Sequence, residues 1–261
     1  MDDLSRAWLA RLERWVRMHP VAGSRSLAQV ADEIGLVLLE CGLTVERYAH
    51  PSGDLLIARG AGTAPLLGMY GHHDVEPGGT TTMHVAEGRV WGRGVGDNLG
   101  PLALRLSVLE RHRRRPHLLW VIEPGEEIGS PALAEWLRET SVPPPALWLD
   151  ETGYFEADGT QRILAVEPDD LANDVMRQCA ELAAAMGRAT RVERRRLHRV
   201  VADAGSGVES LFRGAPYLAL GPNDDRSDVH GEQESLPLGT IDLSARQLAA
   251  VFDAFSEGPS R

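Results

Sequence analysis

Two histidines and a set of carboxylates carry the chemistry that this sequence can offer. They are His72 with Asp74, Asp97, the pair Glu126 and Glu127, the pair Asp150 and Glu151, and His230. Imidazole nitrogens and carboxylate oxygens together suit a divalent ion of hard-to-borderline character, zinc above all, with Co2+ or Mn2+ as substitutes. A cocatalytic pair of ions about 3.5–4 Å apart needs one carboxylate bridging both, plus a histidine and a carboxylate for each. The candidates fit that count, with Asp97 as bridge, His72 beside one carboxylate and His230 beside another. Glu126 and Glu127 are adjacent, so their side chains diverge. One can bind metal while the other faces a water that attacks an amide carbonyl.

The elements that must position these groups alternate along the chain. Leu4, Trp8, Leu12 and Trp15 repeat at helical spacing behind Asp2 and Asp3, with Pro20 just beyond. Ser26 reads as the cap of a second helix carrying Leu27, Val30, Ile34, Val37, Leu38 and Cys41, closed by Gly42. Short apolar runs then read as buried strands at 54–58, 66–70, 118–122, 146–149 and 217–220. Helices separate them at about 99–113, 132–140, 171–186 and 243–255, one of them opened by Ser130 as N-cap and Pro131 in the first turn. This alternation predicts an α/β fold, with a mainly parallel central sheet and helices on both faces. Residues 1–261 read as a single domain. Ligands of such sheets sit at the carboxyl ends of the strands. His72, Glu126, Asp150 and His230 each follow a predicted strand, and Asp97 precedes a predicted helix.

Composition removes other classes. The formal charge of −11 argues against a nucleic-acid or anionic-membrane partner. No apolar stretch approaches a membrane span, and the acidic start Met1-Asp2-Asp3 does not resemble a secretory signal, so the cytoplasm is the expected compartment. The two cysteines, Cys41 and Cys179, lie far apart and make no metal-binding pair. All 27 basic residues are arginine. Without lysine there is neither a Walker-type phosphate loop nor a Schiff-base mechanism.

Four segments in order resemble the M20 family of zinc metallopeptidases. LGMYGHHDVEP at 67–77 is similar to its GHxDVVP signature, and GRGVGDNLGPLA at 92–103 to its GRGxxDxKGPLA segment, with Leu99 in place of the usual lysine. EPGEEIGSP at 123–131 resembles EGEEEIGSPG, and HGEQE at 230–234 the closing HxPNE. The resemblance implies a catalytic domain of the zinc-exopeptidase type holding two Zn2+. His72 and Asp150 would bind one ion and Glu127 and His230 the other, with Asp97 bridging, and Glu151 is the rival for the Asp150 role. Glu126 would be the general base, and Asp74 would accept a hydrogen bond from His72 and fix its tautomer. The family also implies a cis Asp97–Asn98 peptide.

Relatives usually insert a lid or dimerisation domain after the fourth ligand. Here Asp150 runs into a hairpin-like YFEADGT at 154–160 and then the helix near 171–186, which leaves no room for it. A monomer is therefore expected. The groups that hold the substrate carboxylate and the oxyanion must come from Tyr154, His198 or Arg226, from a metal alone, or from a partner. The leading expectation is a dinuclear zinc hydrolase cleaving a peptide or N-acyl-amino-acid amide, in the manner of a carboxypeptidase or deacylase. The alternatives are a lidless aminopeptidase, as in the M28 enzymes of the same clan, a biosynthetic hydrolase acting on a carrier- or protein-tethered substrate, and, in another class, an inactive partner-binding module. Arginines at 111–115 and 191–196 read as a solvated helix end and strand edge, with docking of an acidic carrier protein as the sharper alternative.

Overall fold

The computed structural model describes residues 2–200 and 206–256. Helix α1 (Asp3–Met18) starts where Asp2 accepts the Ser5 N–H at 2.8 Å, and it buries Trp8, Leu12, Trp15 and Val16. Helix α2 (Arg25–Glu40) is capped by Ser24, whose hydroxyl accepts the Leu27 N–H at 3.1 Å. Ser26, the cap expected from sequence, already lies inside the first turn and donates back to the His19 carbonyl at 3.2 Å.

The chain continues through β1 (Thr44–Tyr48), β2 (Leu55–Gly60), β3 (Leu67–His72), β4 (His84–Ala86), β5 (Arg89–Trp91), α3 (Leu99–Arg111) and β6 (Leu118–Glu123). A 3-10 turn at Glu126–Ile128 leads to α4 (Pro131–Glu139), β7 (Leu147–Asp150), β8 (Tyr154–Phe155), β9 (Gln161–Val166), α5 (Asp170–Ala185) and β10 (Thr190–Arg194). The remainder is α6 (Leu197–Val200), α7 (Ser206–Phe212), β11 (Tyr217–Ala219), β12 (Asn223–Asp224), β13 (Ser235–Pro237) and α8 (Ile241–Ala254).

The main sheet runs β1-β2-β6-β3-β7-β11-β9, with β10 on the far side of β9 and the short β8 and β12 beyond its near end. Its middle is parallel: β6 with β3, β3 with β7, and β7 with β11. These four strands are four of the five apolar runs legible in the sequence, as expected for strands covered on both faces, and the fifth is β2. β1, β2 and β9 add antiparallel pairings on either side. β6 shows the period of two: Trp120 and Ile122 enter one core with Trp8, Leu12, Trp15, Met69 and Phe252, while Leu119 and Val121 enter the other with Tyr70, Trp136, Trp148 and Phe212. Helices therefore cover both faces. Cys41 and Cys179 are free and buried. No helix among the described residues is long and apolar enough to cross a membrane.

Candidate metal centre

The parallel pairing of β3 and β6 sets His72 opposite Glu123, so both strands end at the same level. From there β6 passes through Pro124 and Gly125 into the 3-10 turn that carries Glu126 and Glu127. Asp97 stands just before α3, joined to Asn98 by a cis peptide, as the family resemblance led one to expect. His230 arrives from the loop between β12 and β13, in the left-handed region at φ 65°.

These side chains meet. His72 Nε2 lies 2.8 Å from Asp97 Oδ1, and His230 Nε2 lies 3.3 Å from Asp97 Oδ2 and 3.0 Å from Glu127 Oε2. Ligand atoms of His72, Asp97 and Glu127 fall within 4.8 Å of one another. Glu127 Oε1 is buried and has no hydrogen-bond partner. Two imidazoles, a carboxylate contacted on both oxygens and an orphaned carboxylate oxygen fit divalent ions of the zinc class.

The electrostatics follow from this crowding. Burial would favour the neutral ring of His72, but Asp97 and Asp74 outweigh it and lift the pKa well above the usual imidazole value. The hydrogen bond to Asp97 pushes His230 up to about 9 against partial burial. Burial would raise Asp97, yet His72 and His230 hold it far below the ordinary carboxylate range. Glu126 and Glu127 are raised by burial, Glu127 to about 7. The histidines and Asp97 thus shift in the directions their mutual attraction dictates.

Asp74 is fully buried and does more than the sequence implied. Its Oδ1 and Oδ2 accept the N–H groups of Glu126 and Glu127, each at 3.2 Å, which fixes the turn carrying both glutamates. Its carboxylate also stands 3.3 Å from His72 Nδ1, and its own carbonyl 3.2 Å from the same nitrogen. Ser130 holds the N-cap position of α4 but makes no cap bond; its hydroxyl donates to Glu123 at 2.9 Å. Tyr70 donates to the same Glu123 oxygen, and burial pushes this fully enclosed carboxyl up to about 8.

The closing motif at 230–234 includes Glu234, to which the sequence alone assigns no role. The structure makes it the tie between two loops. It accepts N–H groups from Gly94 and Gly96 at 2.9 Å and from Asp97 at 3.1 Å, and pairs with Arg93 at 2.8 Å. Arg93 in turn donates to the His230 carbonyl at 3.0 Å.

Asp150 does not join the cluster through a contact of its own. Its Oδ1 accepts the Glu151 N–H at 2.8 Å, and its Oδ2 accepts from the hydroxyls of Tyr217 and Thr152. The next residue, Glu151, pairs with Arg105 at 3.3 Å, and with Asp97 it lines a cavity of about 340 Å3. Tyr154 also lines this cavity, its ring covered by the Arg162 guanidinium at 3.7 Å. Arg226 is exposed and not part of the wall, and His198 is exposed on α6.

The family model described as Peptidase family M20/M25/M40 matches residues 68–254. Among curated proteins, the succinyl-diaminopimelate desuccinylase of Zymomonas mobilis is 31% identical over 105 residues, covering 36% of this chain and 28% of that one. The enzyme of the same name from Beijerinckia indica is 33% identical over 99 residues, covering 33% and 26%. Thus the matches span less than a third of those relatives' length. Among solved structures, the di-peptidase Dug1p of Saccharomyces cerevisiae superposes with a TM-score of 0.67 at 13% identity, over 99% of this chain and 98% of that one. PepT of Bacillus cereus gives 0.68 at 11% identity, over 96% and 98%. At such identities these two likenesses speak to the fold.

Proposed function

Because the chain belongs to peptidase family M20/M25/M40, we propose that it is a dinuclear zinc hydrolase of peptide or N-acyl-amino-acid amides. The observation that carries this reading is the approach of His72 and His230 to the two oxygens of Asp97, with Glu127, the neighbour of Glu126 in the chain, against His230 and within 4.8 Å of His72 and Asp97. His72 would hold one ion, His230 and Glu127 the other, and Asp97 both. When bound, such ions would polarise the amide carbonyl and make the attacking water more acidic.

For the remaining ligand on the His72 side, charge favours Asp150. Glu151 has its counterion in Arg105, whereas Asp150 is 3% exposed and meets only neutral donors. A buried carboxylate without a cation is costly, and a ligating carboxylate ordinarily carries hydrogen bonds of the kind that Tyr217 and Thr152 give.

Glu126 takes the proton of the attacking water and returns it to the leaving amine. Burial raises its pKa, which suits a group that must accept a proton and then give it up near neutral pH. Asp74 keeps Glu126 and Glu127 in place by holding their N–H groups. Tyr154 is the residue in the cavity wall best suited to contact the substrate.

Elemental analysis of protein purified without chelator tests the reading. We expect close to two zinc-like ions per chain, and loss of at least one in Asp97→Ala. Asp150→Ala should also lose one. If Glu151→Ala loses it instead, the ligand is Glu151. Protein that neither holds metal nor takes it up from added zinc would be a partner-binding module.

A further inference from the structure

We infer that Arg105 of α3 is a positioning residue for the metal centre, setting the spacing of His72 from Asp150 across a gap in the sheet. This deepens the hydrolase reading and rests on it for the ions and for Asp150 as a ligand.

The gap follows from the strand pairings. β3 and β7 are neighbours, but their register ends at Met69 and Leu149, before either ligand is reached. Beyond that point each strand follows its other neighbour. β3 stays with β6 as far as His72 and Glu123, and the His73 N–H then donates to the Glu123 carbonyl at 3.0 Å. β7 stays with β11 as far as Asp150 and Ala219, and the Leu220 N–H donates to the Asp150 carbonyl at 2.9 Å. His72 and Asp150 therefore stand on diverging strand ends. Crevices outside the carboxyl ends of parallel strands are where such sheets bind ligands.

Arg105 spans the divergence. Its Nη1 donates to the carbonyl of Tyr70, the first residue of β3 beyond the shared register, and stands 3.3 Å from Glu151 Oε2. One nitrogen thus ties a point two residues before His72 to a point one residue after Asp150. The side chain comes from the helix that opens just after Asp97, and every residue of that helix from Leu99 to Leu109 is buried. The anchor is therefore as rigid as the core around it.

Stability gives little reason for this arrangement. Arg105 is 2% exposed and Glu151 7%, and taking such a pair out of water costs about as much as its attraction returns. Arg105 Nη2 is buried with no hydrogen-bond partner, so further bonds do not offset that cost. Charge gives less reason still, because a fixed cation beside a metal ligand repels the ion that the ligand is to hold. What the guanidinium supplies is a fixed distance between two strand ends.

Zinc titration of the metal-free full chain against a chromophoric chelator tests this, with His230→Ala and His72→Ala assigning the two affinities to their sides. Arg105→Met removes the clamp and keeps an unbranched stem. It also removes a repelling cation and frees the Glu151 carboxylate, so on electrostatic grounds affinity should rise. We expect the opposite, and on one side only. The His72-side ion should be held about 10–100-fold more weakly, with the His230-side ion within about twofold of the parent chain. Arg105→Met/Glu151→Gln, which leaves neither charge behind, should show the same loss relative to Glu151→Gln, and it carries the test if the single variant does not fold. Unchanged or tighter binding on the His72 side overturns the inference and leaves the hydrolase reading intact. Equal weakening on both sides also overturns it, since a general loosening of the fold would do that. A parent chain that binds no zinc removes the hydrolase reading, and this inference with it.

Discussion

His72 and His230 approach the same Asp97 carboxylate, one at each oxygen, yet the chain holds them by different means. His72 ends a central strand bonded on both sides, is 2% exposed, and stands against a buried Asp74 that also fixes the Glu126–Glu127 turn. His230 sits in a loop, its side chain 51% exposed, with Asp228 and His230 both in the left-handed region. That rim hangs from the buried pair of Arg93 and Glu234. The floor of the site is therefore a consequence of the sheet, whereas the rim depends on one ion pair reaching across the sequence.

The largest expected effect lies on the floor. Glu126→Gln should lower turnover by about 10²–10⁴-fold while metal content stays near two ions, as measured by steady-state kinetics beside elemental analysis. Unchanged turnover would mean that the proton is handled elsewhere, and that the floor supplies shape without chemistry.

On the rim, Glu234→Ala should cost about 3–5 kcal/mol in denaturant unfolding, because it leaves the Arg93 guanidinium buried without its partner. It should also weaken the His230-side ion before the His72-side ion in a zinc titration. Equal weakening of both would erase the distinction between floor and rim.

The smallest effect is one of pH. In the metal-free chain His230 keeps its proton up to about 9 through its bond to Asp97. A metal ion takes the neutral ring, so binding must expel that proton. Affinity of the rim ion should then rise with pH by up to about tenfold per unit between roughly pH 6.5 and 8. Zinc affinity that is flat across this range would remove His230 from the ligand set.

What could be read in advance follows the same division. The central strands are continuous apolar runs, two of which lead into His72 and into the Glu126–Glu127 turn, while Asp97 and His230 stand in loops and were legible through the motifs around them. The edge strands β1 and β10 were not, since half-exposed segments such as TVERY and TRVER lack such a run. Nor could local sequence distinguish Ser24 from Ser26 as a cap, because both precede the same apolar pattern and only the geometry of the first turn decides. The work of Glu234 was hidden for another reason. Its donors lie more than 130 residues away in sequence, and their convergence exists only once the two loops are brought together. The choice between Asp150 and Glu151 turns on Arg105, a residue of α3 that no motif includes.

Among the described residues β1 pairs only with β2, and β10 only with β9. An open strand edge is a template on which another chain can add a strand. Here Glu46 and Arg47 stand on one margin, and Arg191, Glu193 and Arg194 on the other. Any strand docking there would have to crowd or strip water from those charges. On that argument the charged run at 191–196 would bear on colloidal behaviour, opposing extension of the sheet by a second copy at the β10 margin.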